Sequence, residues 1–250
     1  MGLEMGGSVG PSGELELKVI RADGRVETPE GLWTAQPPPA PETARKLSVA
    51  DVIGLGLPRA GLPEVVNRWR RANLPNLWRG AWRVALARRL GLPHFYGSLY
   101  LRKLCADGRV IDFGLASMRV VTDNGAGFIV DAFQNLTELE NMKFHGIGTG
   151  SNAEAVGDTA LQTELTTQYN PDNTRATGTL EEASAKVFRT VGTNTPDSGH
   201  PISLREHGIL SQAATGGGVL LDRSVYALIT LDTNGDALQS TYTFTVNSGS

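Results

Sequence analysis

The spacing of apolar and polar residues divides this chain into three stretches. In the first, Leu15, Leu17 and Val19 alternate with Glu16 and Lys18, the period of a strand with one side buried. Asp23-Gly24 is a turn signal, and Arg25-Val26-Glu27 is predicted to return as the second half of a hairpin. Gly6, Gly7, Gly10, Pro11 and Gly13 predict a flexible lead. Gln36-Pro37-Pro38-Pro39-Ala40-Pro41 predicts a stiff polyproline spacer.

The second stretch has helical spacing. Leu47 to Leu57 predicts a short helix capped by Ser48 and ended by Gly54-Leu55-Gly56. Pro63 to Leu92 predicts two helices. Pro63 suits a first helical position and Glu64 the first turn; Pro75 interrupts, and Gly91 and Pro93 close the second helix. Leu77, Ala81, Val84 and Ala85 share one side, Arg79 and Arg83 lie opposite, and Trp78 and Trp82 flank them.

From Phe95 the period returns to two. Leu99, Leu101, Lys103 and Cys105 alternate with Tyr100, Arg102 and Leu104, Asp107-Gly108 turns, and Arg109 to Phe113 returns. Ser117–Thr122 is a further strand, Asp123-Asn124-Gly125 a turn, and Ala126 to Leu139 a short helix. Strands are then predicted at 142–147, 175–181, 185–191, 206–212, 219–226, 227–231 and 239–246, with Asn234-Gly235 joining the last two as a hairpin. Residues 158–165 read as a short helix or a loop. Short strands with turn chemistry between them predict a mainly β protein, an antiparallel β-sandwich or jelly roll. One local pattern occurs twice. Leu15-x-Leu17-Lys18 with Ala22-Asp23-Gly24-Arg25-Val26 matches Leu99-x-Leu101-Arg102 with Ala106-Asp107-Gly108-Arg109-Val110, so the first hairpin is expected to fold as a strand pair like the second.

Composition sharpens the division. The 250 residues are 40% hydrophobic and 20% charged, enough apolar material for most of the chain to fold. All of Trp33, Trp69, Trp78 and Trp82 precede residue 90, whereas threonine rises from 5 before residue 143 to 17 after it. Residues 1–57 hold 5 Lys/Arg and 8 Asp/Glu (−3), 58–103 hold 10 and 1 (+9), and 104–250 hold 8 and 17 (−9). The expected organisation is an extended arm over 1–46, a basic helical segment over 47–92 and a β-sandwich domain over 93–250. A basic block between acidic ones meets either the acidic part of its own chain or a neighbouring copy, or an external polyanion. Arginines interleaved with tryptophans suit nucleic acid through phosphate pairing and stacking, and equally suit protein docking. No run reaches the roughly 20 apolar residues of a membrane helix. The first residues lack the basic and apolar regions of a secretory signal. Cys105 stands alone, so no internal disulfide is possible.

Candidate chemistry is sparse. Gly146-Ile147-Gly148-Thr149-Gly150 follows a strand, but Ser151 breaks the dinucleotide fingerprint and no P-loop Lys-Ser/Thr follows, which favours a plain glycine turn. His200, Glu206 and His207, or His145 with Glu138 and Glu140, are too few for a metal set. Asp232-x-Asn234-Gly235-Asp236 has part of a calcium loop without its closing Glu. No serine occupies a G-x-S-x-G elbow. No catalytic residue, cofactor or metal is therefore expected.

The order of VDAFQN (130–135), IGTGSNAEAVGDTALQTEL (147–165), REHGILSQ (205–212), GGGVLLDRS (216–224) and STYTFTV (240–246) resembles virion structural proteins of tailed bacteriophages, of the capsid decoration (cement) type. The closing strand, Thr241-Tyr242-Thr243-Phe244, is one step tighter than the T-Y-x-x-T-F strand that closes the pattern in those proteins. The resemblance covers about 95–250 and implies no catalytic residues. It implies a non-enzymatic protein that stabilises an assembled shell. The implied partners are the major capsid protein or other virion subunits, in a homotrimer or homodimer; nucleic acid and membrane are not expected, and the implied location is a virion assembled in bacterial cytoplasm. A tail, head–tail connector or fibre component is the alternative, and a nucleic-acid-binding accessory protein using 58–103 a third reading. The expected partner-binding residues are Leu15, Leu17 and Val19 of the arm and Trp69, Trp78, Arg79, Trp82 and Arg83 of the basic segment, the arm adding a strand to another subunit's sheet edge.

Overall fold

The computed structural model describes residues 53–119, 121–167, 173–184 and 186–248, and the backbone of strands at 5–9, 15–20 and 26–27; of 182–184 the backbone alone is described. The chain forms two compact units, Met1–Ala40 and Pro41–Ser250.

The first unit is a three-stranded antiparallel sheet. β2 (Leu15–Ile20) is central, between β1 (Met5–Val9) and β3 (Val26–Glu27). The glycine-rich lead expected to be flexible thus supplies a strand, pairing Met5 with Val19 and Val9 with Leu15. The expected hairpin is present, with Ile20 opposite Val26.

The second unit is a β-sandwich with a helix laid along one side. One sheet runs β5-β4-β12-β9-β8: β4 is His94–Leu104, β5 Val110–Arg119, β8 Thr179–Ser184, β9 Val187–Asn194 and β12 Ala237–Asn247. The other runs β11-β10-β6-β7: β6 is Phe144–Gly148, β7 Ala176–Thr177, β10 Ile202–Leu210 and β11 Leu220–Leu231. All strand pairs are antiparallel. Leu99, Leu101, Leu204, Leu231 and Leu238 fill the space between the sheets. The repeated sequence pattern is repeated in register: Leu104 faces Val110 across β4–β5 as Ile20 faces Val26 across β2–β3.

Three readings of the strands and their turns are corrected. The two strands expected at 109–113 and 117–122 are one strand, β5, with Phe113 and Ala116 as extra residues against β4. The strands expected at 219–226 and 227–231 are likewise one strand, β11, whose register against β10 breaks between Val225 and Ile229. Asn234-Gly235 makes no hairpin. β11 pairs in one sheet and β12 in the other, so the turn is a corner of the sandwich, with Gly235 at φ +93°.

The two helices expected over 63–92 are a single helix, α1 (Glu64–Arg89), which passes through Pro75. Pro75 lies on the exposed side, so water can hydrate the Arg71 carbonyl that its missing N–H leaves unpaired. Tertiary bonds hold the buried side. Arg70 Nε donates to Phe113 O (2.9 Å) and Asn73 Nδ2 to Ala116 O (2.7 Å), the carbonyls of the two extra residues of β5. Across the sandwich, Asn73 Oδ1 accepts from Ala227 N (2.8 Å) and Trp69 Nε1 donates to Ala227 O (2.9 Å). Ala227 lies in the irregular part of β11. So α1 spans β5 and β11, the edge strands of the two sheets, and binds the backbone groups that their irregularities release. Further along, Leu77, Ala81 and Val84 pack on Leu115, Met118 and Tyr96. The helix belongs to the same compact unit as the sandwich, and the division expected at 92/93 is absent because its apolar face completes the core. A second helix, α2 (Asp123–Phe133), is capped by Thr122, whose Oγ1 accepts from Gly125 N at 2.9 Å. It begins on the residues read as a turn. The helix expected at 47–57 lies mostly outside the described residues.

Candidate interaction surface

Most of the acidic and imidazole groups that offered candidate chemistry are tied to the chain itself. Glu206, fully buried on β10, accepts from Gly150 N (3.0 Å), Gln162 N (2.9 Å), Thr163 N (2.7 Å) and Arg223 Nε (2.8 Å). The glycine-rich turn after β6 therefore does contribute an amide to an anion, the chain's own carboxylate, together with the 162–163 backbone. A Cβ at Gly148 or Gly150 would stand 2.6 or 2.4 Å from Glu206 Oε1. Arg223 also reaches Asp158 Oδ2 (3.1 Å) and Asn152 Oδ1 (2.5 Å). Glu164 makes a two-pronged pair with Arg175, whose Nη1 caps Gln212 O and Gly217 O. The segments 147–165, 205–212 and 216–224 thus meet in one buried polar network.

His145 Nδ1 lies 2.9 Å from His207 Nε2, and His145 Nε2 lies 3.1 Å from Thr190 Oγ1. Burial holds both imidazoles well below their ordinary pKa, His145 at about 3. Sequence spacing could not show this pair, 62 residues apart, because the β6–β10 register creates it: Ile209 faces His145 and His207 faces Ile147. At the calcium-like turn the cation is the Lys103 ammonium, 2.5 Å from Asp232 and 2.9 Å from Asp236. Among the described residues no group of three or more His, Cys, Asp or Glu is placed to hold a metal ion. No helix there is long and apolar enough to cross a membrane.

The chain matches no family model, no curated protein and no solved structure.

What remains chemically unspent is surface. Trp78, Trp82, Leu86 and Leu90 recur every fourth residue along α1 and its end, and all four are exposed. Arg83 stacks on Trp82, 5.6 Å from the ring centre. The structure separates the residues expected to bind a partner. Trp69 is in the core against Phe113 (ring centres 4.8 Å apart), because the helix turns it toward Ala227, and it is no part of this ridge. Arg79 binds Glu154 at 2.9 Å, and Arg119 binds the same carboxylate from β5. Trp78, Trp82 and Arg83 stay on the surface. Leu15, Leu17 and Val19 lie on β2, the central strand of the first unit's sheet, paired with β1 and β3.

Half of the basic block is thereby accounted for inside the chain. Arg70, Arg71, Arg79, Arg102 and Lys103 each bind a carbonyl or carboxylate of the same molecule. A second apolar face lies on α2 and the turn after it, where Val130, Phe133, Leu136 and Leu139 are exposed. No hydrophobic signal in the sequence separates these residues from core; only the path of α2 over Leu221 and Met142, with Phe128 turned inward, does so.

Proposed function

We propose that this chain is a non-enzymatic structural protein of a virus particle, of the capsid decoration type, acting through exposed apolar surface rather than through a reactive centre. The observation that carries this reading is the division of labour in the sandwich. Its buried ionisable groups Glu206, Arg223, Glu164 and Arg175 bond to one another and to backbone, while the aromatic side chains Trp78 and Trp82 leave half of their surface in solvent. Contiguous exposed apolar faces mark contact surfaces. The order of the 147–165, 205–212 and 216–224 motifs, which resembles phage virion proteins, agrees with their convergence on one rigid scaffold.

The test is quantitative protein composition of purified particles that contain this chain. Copy number in a simple ratio to the shell subunit supports decoration. A count matching a single ring or fibre set places the chain in the tail or neck, and absence from particles removes the reading.

A further inference from the structure

The two exposed apolar faces carry opposite charge. α1 contains seven Arg and one Glu, a net +6, of which Arg70, Arg71 and Arg79 are bound within the chain. Residues 123–140, covering α2 and the turn after it, contain Asp123, Asp131, Glu138 and Glu140 and no Lys or Arg, a net −4. The charges sit beside the apolar groups. Arg83 and Arg89 are exposed on α1, and Asp131, Glu138 and Glu140 are exposed around Phe133 and Leu136. Phe133 is 81% and Leu136 71% exposed, values out of keeping with an aromatic and a leucine on a finished surface. Each face has the make-up of one half of a protein contact: apolar centre, charged rim of one sign.

We propose that the α1 ridge of one copy of this chain docks on the α2 face of a second copy. A copy of the chain is the occupant because it presents both halves. A nucleic acid would satisfy the arginines but would be repelled by the α2 face and would leave Phe133 and Leu136 in water. Trp78 and Trp82 then pack against Phe133 and Leu136, and Arg83 and Arg89 meet Asp131 and Glu138 at the rim. The contact forms between free chains. Its failure leaves the particle reading standing, and failure of the particle reading leaves the contact standing.

The experiment is sedimentation velocity of the full chain at low salt, from about 1 to about 200 µM. Self-association that weakens as salt is raised is expected. Two charge-reversed chains follow, Arg83→Glu with Arg89→Glu, and Asp131→Lys with Glu138→Lys. Each alone should associate at least roughly tenfold more weakly, because its two faces now repel. Their equimolar mixture should regain the wild-type affinity, since each reversed face meets its complement. That recovery also shows both variants to be folded. Trp78→Ser with Trp82→Ser, whose side chains are half exposed, should weaken association with at most a small drop in melting temperature. A wild-type chain that stays monomeric across the range overturns the proposal. So does a mixture no stronger than its components, or a ridge that binds a random oligonucleotide while the chain shows no self-association.

Discussion

Arg223 on β11 donates to Glu206 on β10 at 2.8 Å, and both side chains are buried. Each charge has its remaining partners. The carboxylate takes three backbone amides, and the guanidinium takes Asp158 and Asn152. Taking away one half of a buried pair costs about 3–5 kcal/mol, because the other half is left uncompensated. Glu206→Ala should therefore lower stability by about that amount, a large share of the 5–15 kcal/mol typical of a domain. It should also release the 148–165 loop. Urea denaturation gives the first quantity. Hydrogen exchange at Gly150, Gln162 and Thr163 gives the second, and protection unchanged there would contradict this account of the network.

α1 is part of the fold. A chain starting at residue 93 lacks Trp69, Arg70 and Asn73 and exposes the backbone groups of Phe113, Ala116 and Ala227 that they bind. It should lose cooperative unfolding, whereas a chain starting at residue 41 should keep it. Within the full chain, Trp69→Ala should cost about 3–5 kcal/mol. Trp69→Phe keeps most of the packing on Phe113 and should cost about 1–3 kcal/mol through the unpaired Ala227 carbonyl. A cooperative melt from the chain starting at 93 would contradict this assignment.

Two helical glycines should respond to alanine with opposite sign. A Cβ on Gly80 would fall 1.7 Å from Met118 O, so the helix must move off β5. The helix-propensity gain of about 1 kcal/mol cannot offset an overpacking cost of about 1–3 kcal/mol or more against rigid backbone. Gly127 on α2 has nothing within 4 Å of its Cβ position, and alanine there should add about 0.5–1 kcal/mol. Thermal melts of the two variants test the pair; a stabilised Gly80→Ala protein would refute the close approach.

Burial pushes the Asp222 carboxyl up to about 7 from 3.8, against the pull of the Ser224 hydroxyl and of Arg119 and with Glu154 adding to the rise. The native state keeps a proton that the unfolded chain gives up above pH 3.8, so this group's contribution to stability falls as pH rises toward 7. His145 and His207 have the opposite sign. They are held neutral when folded and take protons below 6.5 when unfolded, so their contribution is lost as pH falls. Two imidazoles outweigh one carboxyl in the interval where all three matter. Stability should rise with pH up to about 6.5, then fall slightly toward 7. Asp222→Asn should remove that fall and steepen the acid limb. Urea midpoints at several pH values give the comparison, and parallel profiles for the variant and the wild type would mean that Asp222 is ionised in the folded protein.

Much of the local structure was legible. The period-two run of Leu99, Leu101 and Lys103 became β4 with those side chains buried, and Asp107-Gly108 became its turn, Gly108 at φ +87°. The repeated Ala-Asp-Gly-Arg-Val pattern predicted a second hairpin, and β2–β3 has the same register. A strand's period and a turn's glycine act over a few residues, so sequence carries them directly.

Pairing was not legible in the same way. Pro75 reads as a break, and in isolation it would be one; Arg70 and Asn73 hold the helix before it by binding β5 carbonyls some 43 residues away, and Leu77, Ala81 and Val84 hold it after by packing on Leu115 and Met118. Val225 to Ile229 reads as a strand boundary, and it is an irregularity whose backbone Asn73 and Trp69 satisfy across the sandwich. Trp69, Trp78 and Trp82 look alike as sequence, yet one is core and two are surface, because α1 can turn only one face toward β5 and β11. By itself the sequence determined much of where this chain extends and coils, though not where every element begins and ends. Which strands became neighbours, and which polar groups they left for Glu206, Asn73 and the histidine pair to satisfy, was decided by tertiary structure. Burying a backbone group or a charge is tolerable only when a partner, however distant along the chain, arrives at the same place.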